Sequence, residues 1–139
     1  MRRVAPFVFV WLAALAGCGG PTQVMGSVRF GEPFELKVGQ SVVLGERQET
    51  LRFLAVLEDS RCPTDALIQC VWAGRVRLRV AVAPLSGDEL PLELHLGDEP
   101  SSAVFGDLRL ELLDVKPAAR LDLIPTGEYR ATFRITLAR

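Results

Sequence analysis

From residue 34 to residue 137 this chain repeatedly places apolar side chains at every second position, a period that belongs to strands and not to helices. Phe34, Leu36 and Val38 are separated by Glu35 and Lys37, and Leu51 and Phe53 open a run that Ala55 extends. Val76, Leu78, Val80 and Val82 are interleaved with Arg75, Arg77, Arg79 and Ala81. Leu90, Leu92, Leu94 and Leu96 follow, then Leu108, Leu110 and Leu112, then Tyr129, Ala131, Phe133, Ile135 and Leu137. Successive side chains of a strand point to opposite faces, so each run has one apolar and one polar face, as in antiparallel sheets covered on one side. Turn signals separate the runs at Gly31-Glu32-Pro33, Gly39-Gln40, Gly45-Glu46, Ser86-Gly87-Asp88, Gly97 to Pro100 and Pro125-Thr126-Gly127. Seven or eight short strands at this spacing predict an all-β fold, a single antiparallel β-sandwich with a small β-barrel as the alternative. The doublet Leu112-Leu113 breaks the alternation and leaves a helix as the rival over 108–115.

Gly127-Glu128-Tyr129-Arg130-Ala131 resembles the tyrosine corner of Greek-key sandwiches, in which the hydroxyl bonds back to the preceding loop. On that resemblance the expected architecture is Ig-like. Tyr129 enters the last strand and not the penultimate one, and the long-range Cys, Trp, Cys pattern of antibody domains is absent. Architecture of this kind implies no function.

The N-terminus carries a different signal. Arg2 and Arg3 precede an uncharged run from Val4 to Gly17, which ends in Leu15-Ala16-Gly17-Cys18. A positive start, an apolar centre and small residues before a cleavage point are the parts of an export signal. With its terminal cysteine the segment resembles a lipobox of the bacterial lipoprotein class. The resemblance implies cleavage before Cys18, a covalent lipid on that thiol, and no other cofactor. The run is shorter than the ~20 residues a membrane helix requires. The expected organisation is a signal peptide over 1–17, a lipid-anchored tether over 18–26 and the β-sandwich domain over 27–139. Gly19 stands where some bacteria use an aspartate to retain lipoproteins in the inner membrane, so the outer membrane is favoured.

Removing Arg2 and Arg3 leaves fourteen basic against seventeen acidic residues, a formal charge of −3. A mildly acidic chain of this kind is not a general nucleic-acid binder. The chain holds three cysteines, Cys18, Cys62 and Cys70. An odd count is awkward in an exported protein. Acylation of Cys18 leaves an even pair, which an oxidising compartment lets bridge.

Glu58 to Gly74 departs from the pattern. It joins two strand runs, is longer than a hairpin needs, and holds both remaining cysteines and Trp72. Asp59-Ser60-Arg61-Cys62-Pro63, Cys70 and Trp72-Ala73-Gly74 resemble a motif of small β-rich secreted proteins and lipoproteins of bacteria, a group to which no activity is attached. A Cys62–Cys70 bridge closes a nine-residue ring and stabilises by about 2.6 kcal/mol in the chain-entropy model. The expected role is a structural staple; a redox pair would have Cys-x-x-Cys spacing and a zinc site four ligands. Asp59 and Arg61 are expected to pair with one another or with loop backbone, or alternatively to present Arg61 and Asp65 to a partner. Trp72 is expected to anchor the core beside the disulfide.

His95, the single histidine, falls on the polar side of its run and is expected at the surface. Arg75, Arg77 and Arg79 share a strand face with Glu93 as an expected cross-strand partner; a basic stripe toward lipid is the rival. No nucleophile elbow, phosphate loop or zinc-helix motif is present, so no catalytic and no metal residue is assigned. The sequence therefore points to a membrane-anchored envelope lipoprotein acting as a non-catalytic binding module. Its expected contacts are the membrane, through the lipid, and an envelope protein, with Asp59, Arg61, Asp65 and Trp72 as the candidate interaction loop. An inhibitor or sensor of an envelope enzyme, and an enzyme whose site is built from scattered residues, are the alternatives.

Overall fold

A computed structural model describes residues 24–65 and 67–138. The segment expected to be a lipobox, Cys18 and the first part of the expected tether lie outside the described residues. Among the described residues nine strands form two sheets. β1 (Val24–Val28), β3 (Ser41–Leu44), β4 (Glu49–Asp59), β5 (Val76–Ala83) and β6 (Leu90–Leu96) make a five-stranded sheet in the order β1-β3-β4-β5-β6. β2 (Pro33–Lys37), β7 (Ser102–Phe105), β8 (Leu108–Lys116) and β9 (Arg130–Leu137) make a four-stranded sheet in the order β2-β9-β8-β7. The sheets do not close on each other, so the fold is an all-β sandwich and not a barrel. Every pairing is antiparallel except that of β1 with β3, which is parallel. β1 takes in residues 24–26, the end of the segment expected to be tether. Among the described residues no helix is long and apolar enough to cross a membrane.

The alternating runs build the core. Val76, Leu78, Val80 and Val82 of β5 are buried, as are Ala131, Phe133 and Ile135 of β9 and Leu108, Leu110 and Leu112 of β8. The Leu112-Leu113 doublet is a β-bulge: register shifts between Leu112 and Asp114, Leu113 turns outward, and Val115 returns to the core. A bulge resets the pleat by one residue, so 108–116 remains a strand where the broken alternation had left helix as a rival. Phe53 of β4 and Phe133 of β9 meet across the two sheets with ring centroids 6.0 Å apart in an edge-to-face arrangement. That contact joins the layers at the centre of the core. Pro33 and Pro91 fall on the edge strands β2 and β6, where a missing N–H does not interrupt a central ladder.

Candidate functional site

One end of the sandwich gathers the segment between β4 and β5, the turn after β6, and the loop between β8 and β9. The β4–β5 ladder continues past both strands: Ser60 N–H donates to the Arg75 carbonyl at 2.8 Å, and Cys62 N–H to the Ala73 carbonyl at 3.0 Å. Gly74 makes this approach possible. Its φ is +69°, and a Cβ there would lie 1.8 Å from the Ser60 carbonyl oxygen. Beyond the extended ladder Cys62 and Cys70 form a disulfide with Cα atoms 5.9 Å apart, the staple expected from sequence.

Arg61 turns inward. Its Nε and Nη2 donate to Asp59 Oδ1 and Oδ2 at 2.8 and 2.7 Å. Its Nη1 donates to the Val115 carbonyl at 2.7 Å, and Nη2 also to the Pro117 carbonyl at 2.9 Å. The planar fork thus spends one edge on a carboxylate and reaches two carbonyls at the end of β8, in the other sheet. The two side chains keep only 15% and 10% of their surface exposed. Burial by itself would push the Asp59 carboxyl up; the bonds and charge of Arg61, with help from Tyr129, outweigh it and hold the carboxyl below its ordinary range. The same bonds from Asp59 push the Arg61 guanidinium up.

Tyr129 completes the group by donating its hydroxyl to Asp59 Oδ2 at 3.0 Å. This corrects the tyrosine-corner expectation: the phenol crosses to the end of β4 because the carboxylate there is a stronger acceptor than a loop carbonyl. Burial, then the neighbouring Asp59 charge and hydrogen bond, raise the phenol to about 12. Thr64 N–H donates to the Ala119 carbonyl at 2.9 Å, and Asp65 Oδ1 accepts from Leu121 N–H at 3.3 Å. Asp59 and Arg61 are therefore braces, and Asp65 ties the stapled segment to the β8–β9 loop; Arg61 is not available for presentation to a partner.

Trp72 does the opposite of what was expected of it. It is 80% exposed and anchors no core. Leu67 and Val71 are fully exposed and Ile68 is about half exposed. Among the described residues, no backbone hydrogen bond returns residues 67–72 to the sandwich. Val115, Ile124 and Tyr129 at this end belong to the buried core cluster, and Leu67, Ile68, Val71 and Trp72 do not. Leu121 and Leu123 are exposed on the adjoining loop. The sequence reading missed Leu67, Ile68 and Val71. The signal was present as Leu67-Ile68-Gln69-Cys70-Val71-Trp72, an apolar run without alternation that begins inside the cysteine ring and continues past Cys70.

Beside Trp72 lies an open cleft of about 400 Å³ whose wall includes Glu58, Ser60, Arg75, Gly97 and Asp98. Arg75 donates to Asp98 at 2.8 Å and lies 3.4 Å from Glu58, so its charge is shared between two carboxylates. Arg79 pairs with Glu93 at 2.7 Å and Arg77 lies 3.9 Å from Glu58. The arginine stripe is thus a set of cross-strand ion pairs. His95 lies on the outer face of its strand as expected, only partly exposed: it stands opposite Arg77 in the β5–β6 ladder, and among the described residues its buried Nδ1 has no hydrogen-bond partner. No group of three or more His, Cys, Asp or Glu is arranged for a metal ion among the described residues. No family model, curated protein or solved structure shows a significant match to the chain.

Proposed function

We propose that this chain is a bacterial envelope lipoprotein, acylated at Cys18, whose β-sandwich is a non-catalytic binding module working through its stapled end. The observation that carries the reading is the exposure of Leu67, Ile68, Val71 and Trp72 together on a segment whose base is fixed by a disulfide, two ladder bonds and the Arg61 clamp. A monomeric surface seldom presents such a group unless something covers it. A base held in place lowers the ordering penalty of association. The anchor rests on Leu15-Ala16-Gly17-Cys18, and with Gly19 following, the outer membrane is the favoured site.

The test places a photo-crosslinking residue at Val71 in one chain and at Val104, exposed on the edge strand β7, in another, both expressed in a bacterium. Adducts at position 71 and none at 104 are expected. No adduct at 71 removes the binding reading. Mass spectrometry of Cys18 decides the anchor, and an unmodified cysteine in an exported chain removes it.

A further inference from the structure

We infer that the occupant of the stapled end is the bilayer itself: Leu67, Ile68, Val71 and Trp72 form a second foot that enters the lipid interface beside the acylated N-terminus. The inference rests on the lipoprotein reading of Cys18 and names the partner of the surface described above. Strand direction carries it. β4 runs toward the stapled end, β3 is antiparallel to β4, and β1 is parallel to β3. β1 therefore runs away from the stapled end, and Val24, the first described residue, is the point of β1 nearest to it.

The reach agrees. Val24 lies level with Ser41, Ser41 with Arg52, and Arg52 with Ala81. From Ala81 to Val76, where the stapled segment begins, is five strand steps, about 17 Å at 3.3 Å per residue. Six residue steps separate Val24 from Cys18 and span at most about 20 Å when fully extended. A lipid on Cys18 thus holds the bilayer surface within reach of the level at which the stapled segment leaves the sheet, and that segment projects beyond it.

The chemistry suits an interface. An indole with three aliphatic side chains matches the aromatic and apolar belt at the headgroup boundary. Three carboxylates around the foot are paired within the protein: Asp59 by Arg61, Asp98 by Arg75, and Glu128 by Arg120. Asp65 accepts a backbone N–H. Asp122, exposed between Leu121 and Leu123, keeps the adjoining loop at headgroup level. With no unpaired basic cluster at this end among the described residues, attachment is apolar and insensitive to salt.

Trp11 and Trp72 are the two tryptophans of the chain. In full-length protein carrying Trp11→Phe, Trp72 is the only indole emitter whether or not the signal is removed. This protein is purified from a bacterial envelope and reconstituted into phosphatidylcholine vesicles with plain or brominated acyl chains. The expected result is blue-shifted Trp72 emission, quenched by the brominated lipid and unchanged by salt, with the quenching lost in Val71→Asp while that variant still floats with the vesicles. Acylated, floating protein whose Trp72 emits as in water and is not quenched overturns the inference and leaves the anchor standing. Unmodified Cys18 with quenched Trp72 keeps the foot and removes the anchor. Unmodified Cys18 without quenching removes both.

Discussion

Asp59 and Arg61, two residues apart, face each other in a two-pronged ion pair at 2.7 and 2.8 Å, while the same guanidinium holds two carbonyls at the end of the opposite sheet. One side chain thereby ties β4, β8 and the stapled segment together. Removing it leaves a largely buried carboxylate and two carbonyls without their donor. Arg61→Ala is expected to lower the unfolding free energy by about 3 kcal/mol in urea denaturation. Arg61→Lys should recover only part of this, because an ammonium lacks the fork. A loss within the error of a surface substitution would show that the clamp is not formed.

Tyr129 is the single tyrosine of the chain, so phenolate absorbance reads it alone. A midpoint near pH 12 is expected in the folded protein, against about 10 in the denatured chain. A phenol raised on folding contributes stability that is fully present below about pH 10 and lost as pH rises through 12. Asp59 has the opposite sign: lowered on folding, its contribution is present above about pH 4 and lost as pH falls through the folded value. Asp59→Asn should lower the Tyr129 midpoint and reduce the loss of stability in acid. An unchanged midpoint would mean that the phenol does not sense the carboxylate.

Gly74 admits no side chain. With φ at +69° and the Ser60 carbonyl 1.8 Å from where a Cβ would sit, Gly74→Ala must break the Ser60–Arg75 pairing. A loss above about 2 kcal/mol is expected, together with faster amide exchange at Ser60 and Cys62. Exchange at these two positions equal to that of the native protein would contradict the close approach.

The disulfide acts on the loop and not on the core. Replacing both Cys62 and Cys70 by serine should lower the unfolding free energy by about 2.6 kcal/mol, the chain-entropy value for a nine-residue ring. Amide exchange in β5 and β9 should keep its pattern. Collapse of that protection would make the staple part of the core.

Two aromatic residues are expected to behave in opposite ways. Phe133→Ala removes a fully buried ring packed on Phe53 and Phe34, and a loss of about 3–5 kcal/mol is expected. Trp72→Ala removes a larger ring that is 80% exposed, and stability should stay within about 0.5 kcal/mol. A large loss at Trp72 would return it to the core role expected from sequence.

Much of the core was legible from the period of two, since Leu36, Leu78, Leu110 and Phe133 are all buried as their runs require. β1, β3 and β7 were not, because none of them alternates apolar with charged residues as the equally short β2 does. The site was legible at its covalent point, the Cys62–Cys70 pair, and in the pairing of Asp59 with Arg61. The reach of Arg61 to the Val115 and Pro117 carbonyls left no local mark.

The sequence by itself determined which faces of the strands are apolar, where the chain turns, and which two cysteines of the domain can bridge. These are consequences of pleat geometry and short-range chain closure, and neighbouring residues suffice to read them. The tertiary structure alone decided which sheet each strand joins and what the segment between β4 and β5 does. Arg61 is buried because acceptors 54 and 56 residues away stand at the end of β8, and Asp59 holds a phenol 70 residues away. Trp72 is exposed and takes no part in the buried cluster that Val115, Ile124 and Tyr129 join at this end. Burial at such positions depends on partners brought in from distant parts of the chain, and those partners exist only once the two sheets have packed.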